Sequence, residues 1–166
     1  MRGAGAVGEV RVKVADYAVG RGTGVITTVG LGSCVAIMLH ARASRVGGMA
    51  HVLLSSASLS RDVTNRAKFP GTAVPLLLEE LRALGAGRDV TAKIVGGASM
   101  FSSLLAGGGG VNVGERNVEA TVRALAAAGV PLVGQDTGGD YGRSVSLELE
   151  TGRVSVRSLK RGNSVL

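Results

Sequence analysis

Tryptophan is absent from the chain, and only two phenylalanines and two tyrosines stand among its 166 residues. A core built on aromatic rings is excluded, so Val, Leu, Ile and Ala must fill it. There is one cysteine, Cys34, so no intramolecular disulfide can form, and a reducing compartment suits the chain. Only two histidines occur, His40 and His51, and neither stands at ligand-like spacing from the cysteine, which leaves no metal site. No stretch approaches the ~20 apolar residues of a membrane span. The first ten residues hold no apolar run of signal-peptide length. A cytoplasmic protein without membrane insertion is expected.

Acidic residues are also scarce, 12 against 19 basic, for a net charge of +7. Such a balance raises nucleic acid as a partner. The basic residues are scattered, however, and lack the aromatic interleaving that stacks bases. Attraction to an acidic protein surface accounts for the charge equally well.

What is present is 45% hydrophobic and patterned in short units. Residues 9–19 begin in strict alternation, with Val10, Val12 and Val14 on one side, which predicts a half-buried strand. A turn at 20–24 leads to the β-branched run 25–29. Residues 34–40 and 48–54 are apolar runs around a polar turn, read as two antiparallel strands. Residues 55–71 are Ser-rich and basic, a long loop. Val74, Leu77, Leu78, Leu81 and Leu84 predict one face of a helix over 72–84, capped by Gly85. A short strand at 92–95 ends in two glycines, and Gly107 to Gly110 reads as a linker. A second helix is predicted over 114–128, with Val118, Val122, Leu125 and Ala126 inward. A strand at 131–135 and a hairpin of 144–149 with 153–159 complete the reading. Strands in runs beside two separate helices indicate an α+β fold in layers. One domain spans residues 1–166, with short flexible ends at about 1–8 and 160–166.

Cys34 is the residue around which chemistry can be built. Lone cysteines are commonly buried and inert. Here Gly30, Gly32 and Ser33 precede it, so the backbone turns sharply just before a strand. Such a turn presents a side chain and exposes backbone N–H groups, the two things an acyl-transfer nucleophile needs. A thiol also needs a base. His40 shares the strand with Cys34 but stands roughly 20 Å along it. His51 lies on the returning strand. A simple hairpin turning near Ser44 sets it opposite residue 37 or 38, so reach requires Cys34 to sit in the bend. Taken alone, Thr27 and Thr28 are ordinary strand formers.

Five blocks carry a resemblance: LGSCVAIML (31–39), VGGMAHVLL (46–54), KIVGGASMF (93–101), NVGERNVEA (112–120) and DTGGDYGRSV (136–145). In their order and spacing they are similar to the chemoreceptor glutamine deamidase (CheD) family. The resemblance implies conversion of receptor glutamine side chains to glutamate, with action on glutamyl methyl esters as well. It implies Cys34 as nucleophile, His51 as its base and Thr28 as the third catalytic residue, with no cofactor. Backbone at Gly32 and Ser33 is then the place for an oxyanion hole. The family resembles the catalytic domain of cytotoxic necrotising factor toxins, which implies layered, sandwich-like β-sheets flanked by helices. The implied partners are chemoreceptor cytoplasmic helices and a CheC-like phosphatase. Arg42, Arg45, Arg61, Arg66 and Lys68 are expected to form a basic rim that steers the receptor. Two other classes compete: a non-catalytic chemotaxis adaptor, and a basic nucleic-acid-binding module.

Overall fold

The two most uniformly apolar runs of the sequence become its most enclosed strands. A computed structural model describes residues 8–99 and 112–166. Their strands form two five-stranded sheets. In the first sheet the order is β1 (Glu9–Arg11), β3 (Val25–Leu31), β8 (Arg143–Glu148), β9 (Val154–Ser158) and β10 (Gly162–Val165). In the second it is β2 (Tyr17–Arg21), β5 (Val46–Val52), β4 (Val35–Ala41), β6 (Val90–Gly96) and β7 (Leu132–Thr137). Two helices, α1 (Pro70–Ala83) and α2 (Val113–Ala127), pack on the second sheet and on each other.

Three layers result, and β4 and β5 lie in the middle one. Every residue of both strands is buried. A strand covered on both faces reads as a continuous apolar run rather than an alternation. One face of β4 (Val35, Ile37, Leu39) meets the helices, with Val74, Leu77 and Leu81 of α1 in the same cluster. The other face (Cys34, Ala36, Met38) meets Ile26, Val145 and Leu147 of the first sheet. The layered α+β architecture is the one expected from the sequence.

Several boundaries differ, for physical reasons. Residues 9–19 do not form one strand. β1 pairs with β3 in the first sheet and β2 with β5 in the second. The chain crosses between sheets at 12–16, where Ala15 takes a left-handed φ of 59° and Val14 is half exposed. The loop at 55–71 holds local structure of its own and ends at Pro70, where the first helix starts. Short 3-10 turns occupy Ala57–Leu59 and Arg66–Lys68, and Asn65 donates to Ala15 O. Helix α1 begins at Pro70, a residue suited to a first helical position. It ends at Gly85 (φ 100°), whose N–H donates to Arg82 O while that of Ala86 reaches Leu81 O.

The tail expected to be a loose end carries β10, which pairs antiparallel with β9. Helix α2 is rotated from its expected face. Gly114, Asn117, Ala120, Thr121 and Leu125 are buried, whereas Val122 and Ala126 are exposed. Hydrophobicity misplaced that face because two of its buried residues are polar. The glycine linker 107–110 lies outside the described residues, as do residues 1–7.

Candidate active site

The register of β4 against β5 brings Cys34 and His51 to one face. Ala41 pairs with Val46 across the tight 42–45 turn, and the ladder then sets Ala36 opposite His51. The pairing is one or two residues closer to Cys34 than a turn near Ser44 implied. Cys34 lies two residues before Ala36, on the same side of the strand, at the diagonal position from His51. Diagonal neighbours in an antiparallel pair stand ~7–8 Å apart at their backbones, within reach of side chains. Alanine opposite the imidazole takes up little room on that buried face. His40 sits at the far end of β4, its Nε2 2.6 Å from Leu149 O, and takes no part in this cluster.

The third member comes from the other sheet. Along β3, Ile26 and Thr28 point inward and are fully buried. Thr28 Oγ1 lies 2.8 Å from His51 Nδ1 and donates to Val12 O at 2.7 Å. A hydroxyl has one proton to give, and a carbonyl only accepts. With that proton on Val12 O, Thr28 accepts from His51, so the ring proton is on Nδ1. Nε2 then carries the lone pair. It is buried and has no hydrogen-bond partner among the described residues, the Cys34 thiol included.

Burial sets the charge state of both groups. It pushes the Cys34 thiol above its ordinary pKa and His51 down to about 4. At rest the two are a neutral thiol and a neutral imidazole. One consequence is acid sensitivity. Between pH 6.5 and 4 the unfolded chain binds a proton at His51 that the folded protein refuses, so stability falls as pH falls through this window. The loss from this side chain is on the order of 3 kcal/mol, and His40, also held low by burial, adds to it. Urea unfolding at pH 7 and pH 4.5 tests this: His51→Gln should lose less stability than the native sequence, and equal losses would refute it.

The turn before Cys34 is held by three consecutive carbonyls. Gly32 O accepts from Ala98 N, and Cys34 O from Gly97 N, both at 2.8 Å. Ser33 O accepts from Asn117 Nδ2 of α2 at 2.9 Å. The approach is so close that a Cβ on Gly96 (φ 120°) would lie 2.3 Å from Cys34 O. Only glycine fits there. Neither Gly96 nor Asn117 was singled out from the sequence, although both fall in the resemblance blocks.

The CheD family model, described as CheD chemotactic sensory transduction, matches residues 53–158. A "Probable chemoreceptor glutamine deamidase CheD" of Pyrococcus horikoshii is 43% identical over 158 residues, 95% of this chain and 96% of the relative. The "Chemoreceptor glutamine deamidase CheD" of Thermotoga maritima is 43% identical over 155 residues, 93% of this chain and 94% of the relative. This chain belongs to the CheD family.

The CheD family-model match opens two residues after His51, so Thr28, Cys34 and His51 precede it. The relatives align over nearly the whole chain. Elsewhere in this CheD chain, the DTGGDYGRS block makes a rigid corner. Arg143, buried, pairs with Asp136 at 3.0 Å, donates to Gly138 O and Tyr141 Oη, and stacks over the Tyr141 ring. Asp136 anchors that corner through its pair with Arg143.

The expected basic rim does not form as one surface. Arg42 and Arg45 occupy the β4–β5 turn, at the opposite end of β4 from Cys34, roughly 25 Å away at strand rise. Arg45 there faces Glu150 at 3.7 Å. Arg66 is paired with Glu79 at 3.0 Å. Arg61 and Lys68 remain in the segment that follows His51, Lys68 donating to Ser60 Oγ. Among the described residues no cluster of three or more His, Cys, Asp or Glu is placed to hold a metal ion. Among them, too, no helix is long and apolar enough to cross a membrane.

Proposed function

We propose that this chain is a protein-glutamine deamidase of chemoreceptors, working through Cys34, His51 and Thr28. The observation that carries this reading is the Thr28–His51 bond, which leaves Nε2 bare on the face that Cys34 shares. The near full-length likeness to relatives named chemoreceptor glutamine deamidase supplies the substrate.

Nε2 of His51 takes the Cys34 proton as the sulfur attacks the glutamine side-chain carbonyl carbon. The carbonyl π pair moves to oxygen, which N–H groups at Ser33 and Cys34 receive. The C–N bond then breaks, and the imidazolium gives its proton to the leaving nitrogen, which departs as ammonia. Water, losing a proton to Nε2, attacks the thioester. The C–S bond breaks, glutamate is released, and the sulfur regains its proton. A glutamyl methyl ester follows the same path with methanol leaving. The sequence of steps calls for no cofactor. Thr28 keeps the ring in one tautomer throughout. The whole chain, 1–166, acts as a single domain in the cytoplasm, where the receptor helices lie, and a CheC-like phosphatase is its second partner.

The test is direct. The protein is incubated with a glutamine-containing chemoreceptor cytoplasmic fragment, and ammonia release and the mass gain of Gln-to-Glu conversion are followed. Both should appear together. Folded protein that binds the fragment yet yields neither would make it an adaptor instead.

A further inference from the structure

Asn117 is buried completely on α2, and its amide nitrogen is spent on two backbone carbonyls while Oδ1 has no partner among the described residues. Its Nδ2 donates to Ser33 O at 2.9 Å and to Leu53 O at 3.1 Å. An amide nitrogen has two protons, so both are used. One bond falls on the residue before the nucleophile, the other two residues beyond His51. The side chain ties the two ends of the candidate site to one helix. The helix itself is pinned close by: a Cβ on Gly114 would lie 2.3 Å from Ala98 O.

The bond to Ser33 O has a consequence for the neighbouring N–H. A peptide unit is planar and trans, so its N–H points opposite to its C=O. Fixing Ser33 O toward α2 fixes the N–H of Cys34 away from it. In the same way Ala98 N, by holding Gly32 O, orients the N–H of Ser33. The turn is rich in glycine, with Gly30 and Gly32 flanking Leu31, and such a backbone flips its peptide planes readily unless they are held. A flipped Ser33–Cys34 unit would present a carbonyl where acyl transfer needs a donor.

We propose that Asn117 is a positioning residue for the oxyanion site: it locks the Ser33–Cys34 peptide so that the Cys34 N–H faces the developing oxyanion. The proposal rests on Cys34 being the nucleophile of the reaction proposed above. It adds a residue that touches neither substrate nor sulfur, and it predicts a separation between two reactions of the same thiol. Acyl transfer builds an oxyanion. Alkylation by iodoacetamide displaces iodide at a saturated carbon and builds none.

The experiment compares Asn117→Ala with the native sequence in both reactions. Acylation of Cys34 by p-nitrophenyl acetate, followed as the burst of p-nitrophenolate, should slow by ~10²-fold. Iodoacetamide alkylation should keep its rate within about twofold and its pH profile unshifted, because the donor matters only to the oxyanion. On the receptor fragment the loss should lie in kcat, with KM little changed. Thr121→Ala is the control. It removes the bond from Thr121 Oγ1 to Asn117 O on the same buried face, and should leave the ratio of the two rates unaltered. Equal slowing of acylation and alkylation by Asn117→Ala, or no slowing of either, overturns the proposal.

Should Asn117→Ala not fold, the native protein reads the contact by nitrogen NMR. The Asn117 side-chain amide resonances should shift when Cys34 is acylated, and unchanged resonances overturn the idea. Neither reagent is a receptor. Native protein that acylates rapidly but releases no ammonia from the receptor fragment would sink the deamidase reading and leave the role of Asn117 standing.

Discussion

Cys34→Ala is expected to release no ammonia above background, and Cys34→Ser to lose nearly as much, ~10⁴-fold or more. The alanine result follows from removing the only atom that can form the covalent intermediate. The serine result follows from the base. His51, held down to about 4 by burial, is a weak acceptor of protons. A thiol gives up its proton far more easily than an aliphatic hydroxyl, so the same imidazole that serves sulfur cannot serve oxygen. Both substitutions are close in volume at a buried position, and neither removes a hydrogen bond that holds the turn. Urea midpoints should therefore stay near those of the native sequence, which separates lost chemistry from lost folding. Full activity in Cys34→Ala would remove the sulfur from the reaction altogether.

His51→Gln is the second large loss, expected at ~10²–10⁴-fold in kcat. Glutamine preserves a polar side chain that can still meet Thr28, but it cannot take a proton. Thr28→Val probes the same step from behind. It deletes the acceptor for Nδ1–H and leaves the ring free to turn its proton toward Cys34, where no lone pair would then be available. It also strips Val12 O of its donor. Its loss should fall mainly in kcat, and it should be smaller than that of His51→Gln, since a fraction of rings still present Nε2 unprotonated. A Thr28→Ser variant restores the hydroxyl and should recover most of the activity. If Thr28→Val and Thr28→Ser behave alike, the hydroxyl is not what orients the ring.

Much of this arrangement was legible in the residues. The β4–β5 pair could be read because two apolar runs flank a short polar segment, and α1 because five apolar residues keep helical spacing. Cys34 stood out from its glycines. The exact register could not be read, since the tight 42–45 turn has Arg45 at a left-handed φ of 54°, which an arginine does not signal. Thr28 was invisible to pattern alone. Its partner lies in the other sheet, 23 residues away in sequence, and β-branched residues are expected in any strand. The buried face of α2 is hidden from a hydrophobic count because Asn117 and Thr121 are polar, yet each has its donors satisfied inside. A hydrophobic count cannot see a polar group whose reason for burial is a distant carbonyl. The tail reads as a loose end because Gly162, Asn163 and Ser164 lack apolar character, though an edge strand needs only a neighbour's backbone.

The placement of the three side chains across two sheets reaches beyond the reaction itself. Thr28 rides on one sheet and Cys34 and His51 on the other, and the bond between Thr28 and His51 exists only when the layers have closed. A newly made or partly opened molecule still carries a thiol, but its imidazole has no fixed tautomer and no partner behind it. On the proposed mechanism such a molecule is dormant toward amides. Under that mechanism the protein is its own zymogen, released by tertiary closure rather than by cleavage. An unfinished copy then hydrolyses no amides, and closure of the two layers is what starts the chemistry.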